Sequence, residues 1–236
     1  NEACGYETII GMFDPVLQCE WQAGGQGDEF PNHVNVLTSP MVLDTPFESA
    51  NGATEIIFPS YNYTDGGWES AGGTNINYFG VIRIIDGNTC KVHQTIYDPN
   101  NHVIASSPLA VADLDNDGNV EIVALRGQAQ KDEPENTRGI VVFAWNPATK
   151  RYETKWRTKL GGTNLSLNYS WDGPRVHRLD DSACAQVIYH HEVFDGCTGE
   201  RLNVGQNLPI ISSNGTFSVI GKLDKSETVF LLRNNG

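Results

Sequence analysis

Asp113-Leu114-Asp115-Asn116-Asp117-Gly118-Asn119-Val120-Glu121 is the stretch on which the reading of this chain turns. Carboxylates at alternate positions can face one point while Gly118 admits a tight turn. Asp113, Asp115, Asp117, Asn119 and Glu121 then form an oxygen set of the kind a hard divalent cation takes, and Ca2+ is the expected ion. A helix-flanked calcium loop needs a bidentate glutamate at its twelfth position, which counted from Asp113 is Ala124. The flanks are instead short apolar runs, Leu109-Ala110-Val111-Ala112 before and Val120 to Leu125 after, so the loop joins two strands.

Worn copies of this unit recur. Sliding it by 65 residues lays Val176-His177-Arg178-Leu179-Asp180 on Val111 to Asp115 and Gln186-Val187-Ile188 on Glu121-Ile122-Val123, without a gap. Here Arg178 replaces Asp113, and a fixed guanidinium would supply the positive charge that an ion supplies elsewhere, so this copy is expected to be metal-free. Ser39 to Asp44 with Glu55-Ile56-Ile57 forms an upstream copy, and Phe217 to Asp224 with Val229-Phe230-Leu231 a downstream one. Between the copies stand turn signals at Asp14-Pro15, Asp86-Gly87, Asn146-Pro147 and Asp195-Gly196. The gaps from each turn to the next loop, at Asp44, Asp113, Arg178 and Lys222, are 30, 27, 32 and 27 residues. Such regular interleaving predicts units of four antiparallel strands, the loop joining the first two strands and the turn the last two.

On these residues the chain resembles the FG-GAP (VCBS) repeat of integrin-like β-propellers, most closely from Ser107 to Leu125. The resemblance implies an all-β fold, a propeller of four-stranded antiparallel blades. Residues 1–236 read as one propeller or a portion of one, with about four blade-like units at about 9–60, 79–127, 138–191 and 192–236. Relatives of this repeat usually close with seven blades. The resemblance further implies a non-catalytic, calcium-stabilised module for adhesion or assembly, with an extracellular protein or glycan as partner. Two alternatives stand beside it. FG-GAP-like propellers also occur in lectins and calcium-using polysaccharide lyases, and open half-blades at both ends suit a subunit of an extracellular filament or coat that self-assembles.

Composition bounds these readings. With 24 Gly and 11 Pro and only two Met, the chain suits many short strands and tight turns. Its net charge of −13 disfavours nucleic acid, anionic lipid and anionic polymers as partners, and no apolar run is long enough to insert in a membrane. The chain begins at Asn1 without a methionine or leader, which reads as a processed or excised segment. Sequons at Asn62, Asn164, Asn168 and Asn214 and five cysteines fit a secreted, oxidising setting.

A hairpin turning near His190 obeys a constant index sum, which places Cys184 opposite Cys197 and predicts a cross-strand disulfide. Cys4 and Cys19 are the next expected pair, leaving Cys90 buried, free or bridged to another chain. His190, His191 and Glu192 alternate across a strand and read as a turn rather than a zinc site. No Ser, Cys or Lys stands in a nucleophile context. Trp68, in the loop Asp65-Gly66-Gly67-Trp68-Glu69, is the candidate ring for stacking on a glycan or partner.

Overall fold

The computed structural model describes residues 15–25, 27–47, 52, 54–62, 79–98, 103–126, 139–159, 172–179, 181–189, 192–202, 219–222 and 229–232. In chain order the strands are β1 (Met41–Leu43), β2 (Glu55–Ser60), β3 (Phe79–Asp86), β4 (Val92–Ile96), β5 (Val103–Ile104), β6 (Ala110–Ala112) and β7 (Glu121–Arg126). Then follow β8 (Gly139–Asn146), β9 (Arg151–Lys159), β10 (Arg175–His177), β11 (Gln186–Tyr189), β12 (Glu192–Asp195), β13 (Val219–Lys222) and β14 (Val229–Leu232). All named pairings are antiparallel, and there is no α-helix among the described residues.

Strands β1 to β4 form one meander and β6 to β9 a second. Strands β10 to β12 form a third, extended by a bridge from Phe194 to Arg201, and β13 pairs with β14. Each sheet takes two strands from around a loop and the next from around the following turn. Its limits therefore cut across the units of about 9–60, 79–127, 138–191 and 192–236 that spacing suggests. The sheets do not close into a barrel or ring among the described residues, so the architecture stands as all-β, of successive antiparallel meanders. Strand β5 links the first two, pairing Phe79–Gly80 on one side and Arg126 on the other.

Two apolar clusters explain the order of the sheets. Ile122 and Ala124 of β7 and Val141 and Phe143 of β8 pack with Ile57, Ile82 and Ile84 of the first sheet. Their alternates, Val123, Leu125, Ile140 and Val142, pack with Val187, Tyr189 and Phe194 of the third. The second sheet is thus buried on both faces along β7 and the first half of β8. This is why β7 is buried from end to end and its sequence lacks the alternation of a half-exposed strand. Each such aliphatic side chain contributes roughly 1.5–3 kcal/mol on burial.

The turns repeat at atomic detail. Asp86 Oδ1 accepts the N–H groups of Asn88 and Thr89 and the Thr89 hydroxyl, and Asp195 Oδ1 accepts those of Cys197 and Thr198 and the Thr198 hydroxyl. Between them sit Gly87 and Gly196, whose N–H groups donate to Thr54 O and Ala185 O. A Cβ at Gly87 would stand 2.3 Å from Thr54 O, so glycine is required by close approach.

Two disulfides staple the described residues. Cys184 and Cys197 are bonded with Cα atoms 5.7 Å apart, on the register that pairs Gln186 with Asp195. Cys19 bonds Cys90, which corrects the expected Cys4–Cys19 pair; Cys4 lies outside the described residues. The reason is tertiary: the segment carrying Cys19 lies against the turn after β3, where Gln18 also donates to Asn88. No local hairpin arithmetic reaches across 71 residues.

Gly87→Ala should lower stability by about 1–3 kcal/mol in chemical denaturation, because backbone rather than a flexible side chain stands in the way. Gly25→Ala, with nothing within 4 Å of its added Cβ, should stay within about 0.5 kcal/mol. Equal costs at the two positions would contradict the packing described for the turn.

Candidate metal centre

The loop from Asp113 to Val120 leaves the core on one anchor. Leu114 is fully buried between the second and third sheets, while Asp115 is half-buried and Asp117 and Gly118 are exposed. Asn116 at φ 60° and Gly118 at φ 88° curl the chain back on itself. Asp113 accepts the N–H of Asp117 at 3.1 Å and of Gly118 at 3.0 Å, and Asp117 Oδ1 accepts that of Asn119 at 2.7 Å. As a result one oxygen from each of Asp113, Asp115 and Asp117 lies within 4.8 Å of the others. Asp115 Oδ1 is buried and has no hydrogen-bond partner. Three converging carboxylates with an orphaned inner oxygen are a hard-donor set that fits a cation.

Glu121 is placed differently. Its Oε2 accepts the Leu114 N–H at 2.8 Å and its Oε1 accepts from Lys155 Nζ at 3.0 Å, so it stands outside the cluster and closes the base of the loop. Lys155 Nζ also meets Asp115 Oδ2 at 2.5 Å. Lys155 is the residue skipped where the β8–β9 register shifts between Val142 and Phe143, and this bulge turns its ammonium onto the loop. Burial pushes the Glu121 carboxyl up, against the Leu114 and Lys155 hydrogen bonds that pull it down. Burial pulls Lys155 down, but Asp115 and Glu121 prevail and hold it above the usual lysine range. The Asn119 side chain is half-buried beside the loop.

The other copies keep the base and change the ligands. Thr45 N–H donates to Glu55 Oε2 at 2.9 Å and Leu179 N–H to Gln186 Oε1 at 2.6 Å, repeating the Leu114–Glu121 bond. Arg178, in the position of Asp113, donates to Ser182 O and Ala183 O, both at 3.2 Å, and spans its loop with its own charge. Another grouping of ligand types, Cys184, Asp195 and Cys197, has its sulfurs committed to the disulfide.

A second polar centre lies in the first sheet. Arg83, 1% exposed, donates to Asp28 at 2.8 and 3.2 Å, to Thr95 Oγ1 at 2.8 Å, to Ser60 Oγ at 3.1 Å and to Phe30 O at 2.9 Å. Trp21 lies over its guanidinium, 5.7 Å from ring centroid to Cζ. Burial alone would raise the Asp28 carboxyl, but hydrogen bonds from Arg83, Phe30 and Gly24 hold it below the usual range. One signal for this centre was available in the sequence: a lone arginine inside the apolar run Val81-Ile82-Arg83-Ile84-Ile85. Lys155 had none, because its role depends on a register slip.

The remaining candidates are dispersed. Asn62 is half-buried just after Tyr61, which bridges to Asn35, whereas Asn164, Asn168 and Asn214 lie outside the described residues. Trp68, His190 and His191 lie outside them as well, and Glu192 is buried against Arg201 at 2.9 Å.

No protein-family model and no curated protein matches the chain. Among solved structures it is similar to the V. cholerae biofilm matrix protein Bap1, at 15% identity and a TM-score of 0.52, over 76% of this chain and 26% of that one. The chain spans about a quarter of that protein's length, and the likeness is one of fold.

Asp28→Asn should cost about 3 kcal/mol near neutral pH by leaving a buried guanidinium uncompensated. Because folding lowers the Asp28 pKa, its contribution is complete above the unfolded value of 3.8 and disappears as pH falls through the folded one. In urea titrations the gap between wild type and variant should therefore close below pH 3.8. A gap independent of pH would contradict the ionised pair.

Proposed function

We propose that this chain is part of a calcium-stabilised β-propeller of the FG-GAP/VCBS kind, working outside the cell in adhesion or assembly rather than in catalysis. The observation that carries the reading is the threefold repeat of one device: a buried side-chain oxygen at the head of a strand holds the loop before it, at Glu55, Glu121 and Gln186. Successive sheets packed face to face on shared apolar clusters support a radial stack of blades. Two disulfides support an oxidising compartment. The similarity in fold to a biofilm matrix protein is in keeping with a matrix or surface role.

In this reading Asp113, Asp115 and Asp117 hold the ion, with Asn119 and Glu121 beside them. Bound calcium supplies the positive charge that three crowded carboxylates lack. The protein's own residues do the rest. Leu114 anchors the loop, Glu121 fixes its base, and Lys155 neutralises part of the charge without the ion. The loop then stays shaped for the second sheet to pack between its neighbours.

Calcium at about ten times its dissociation constant should stabilise the chain by about 1.4 kcal/mol, raising Tm by roughly 3–6 °C relative to chelator. Asp115→Asn should abolish that increment. Lys155→Met should lower the calcium-free Tm and tighten calcium binding, since the competing ammonium is gone. Beads coated with the chain should adhere to extracellular matrix in calcium and detach in chelator. A Tm indifferent to calcium would remove the ion from the reading, and beads that never adhere would remove adhesion.

A further inference from the structure

The loop of the third sheet has lost its ligands, yet it touches the metal loop of the second sheet at two points. Ala185, 4% exposed, donates its N–H to Leu114 O at 2.8 Å. Leu114 stands between Asp113 and Asp115, and its own N–H is the one that Glu121 holds. The backbone of this one residue therefore joins two sheets. Arg178 adds the second contact, with Nη2 3.5 Å from Asn116 Oδ1 while its Nη1 holds Ser182 O and Ala183 O.

The residues that meet Leu114 are each one step from a cysteine. Ala185 follows Cys184, and Gly196 precedes Cys197 and donates its N–H to Ala185 O at 2.8 Å. A Cβ at Gly196 would lie 2.2 Å from Ala185 O and 3.3 Å from Leu114 Cβ, so the three residues are in close approach. Trp156 Nε1 donates to Gly196 O at 2.8 Å and ties the same turn back to β9. The Cys184–Cys197 bond spans only 13 residues, so it restrains the unfolded chain less than the bond spanning 71. Its particular effect is local: it holds Ala185 and Gly196 together where both face Leu114.

The first sheet makes the same contacts without a covalent link across them. Thr45 N–H meets Glu55 as Leu114 N–H meets Glu121, and Gly87 N–H meets Thr54 O as Gly196 N–H meets Ala185 O. On this equivalence the places of Cys184 and Cys197 are taken by Ala53 and Asn88 in the first sheet and by Asn119 and Ala148 in the second. Of these three sheets, the one that carries the bond is the one whose loop abuts the metal loop. Cys184 and Cys197 are half-buried beside exposed Ala183 and Thr198, within reach of a small thiolate.

We propose that the Cys184–Cys197 disulfide is a redox-responsive clasp on the neighbouring metal loop. Oxidised, it keeps Ala185 against Leu114 and the three aspartates converged; reduced, it loosens the loop and weakens its hold on a cation. The cation half of this inference rests on the calcium reading above, and the loop half does not. Opening the clasp takes two electrons from a dithiol. One thiolate attacks a cystine sulfur, the S–S bond breaks as a mixed disulfide forms, and the second thiolate closes the reductant to its own disulfide. The two protons of the dithiol end on Cys184 and Cys197. Linkage runs both ways, so a bound cation favours the oxidised pair by the factor by which oxidation tightens cation binding.

The test compares the full chain with the pair variant Cys184→Ala/Cys197→Ala, taking the Thr45 amide as reference because it makes the same bond in the first sheet. In chelator the Leu114 amide should exchange with deuterium about fivefold or more faster in the variant, while Thr45 stays within about twofold. Calorimetric titration should show the variant binding calcium about fivefold or more weakly. In dithiothreitol redox buffers, mapped by alkylation and peptide mass, calcium should favour oxidation of Cys184–Cys197 over that of Cys19–Cys90. If the pair variant does not fold, wild type poised in dithiothreitol with Cys184 and Cys197 reduced supplies the same exchange comparison. An unchanged Leu114 rate, equal acceleration at Thr45, or unchanged calcium affinity in a folded variant would each overturn the proposal. A wild type that binds no calcium removes the ion from the earlier reading and leaves the exchange rates to decide the clasp.

Discussion

The structure depends on a buried acceptor placed where each loop re-enters its sheet. Glu55, Glu121 and Gln186 are 1–2% exposed, and an unpaired acceptor at such depth would cost about 1–3 kcal/mol. Each is satisfied by the N–H of the residue that begins its loop, so strand and loop fix one another. The charge of that acceptor then sets what must surround it. Glu121 recruits Lys155 and Glu55 has His93 at 3.8 Å, whereas neutral Gln186 donates instead to Ser182 Oγ and Cys184 O. The copies have diverged together with their neighbours.

This constraint made part of the fold legible from sequence. A strict offset of 65 residues superimposes Glu121 on Gln186 and Asp113 on Arg178 because their loops have equal length and are closed by the same hydrogen bond, which the Asp44–Glu55 copy keeps across a loop three residues longer. The Cys184–Cys197 bridge was legible for a similar reason, since an antiparallel hairpin has a fixed index sum and both cysteines lie on it. The Asp86 and Asp195 turns announced themselves through the aspartate-glycine pair.

What stayed hidden was tertiary. Cys90 finds Cys19 because a distant segment lies against the β3–β4 turn, and nothing in local spacing encodes that approach. Lys155 faces the carboxylates only because β9 slips by one residue against β8; without the slip its side chain would fall on the other face.

The Cys19–Cys90 bridge also has a mechanical meaning. When the chain is pulled, a covalent link spanning 71 residues routes tension around everything it encloses. At about 3.4 Å per residue, roughly 240 Å of contour length containing β1, β2 and β3 is withheld from extension while the bond is intact. The first sheet can therefore lose its packing under load without paying out slack. The pull passes directly to β4 and onward, and the reach of the molecule becomes a matter of redox state as much as of folding stability.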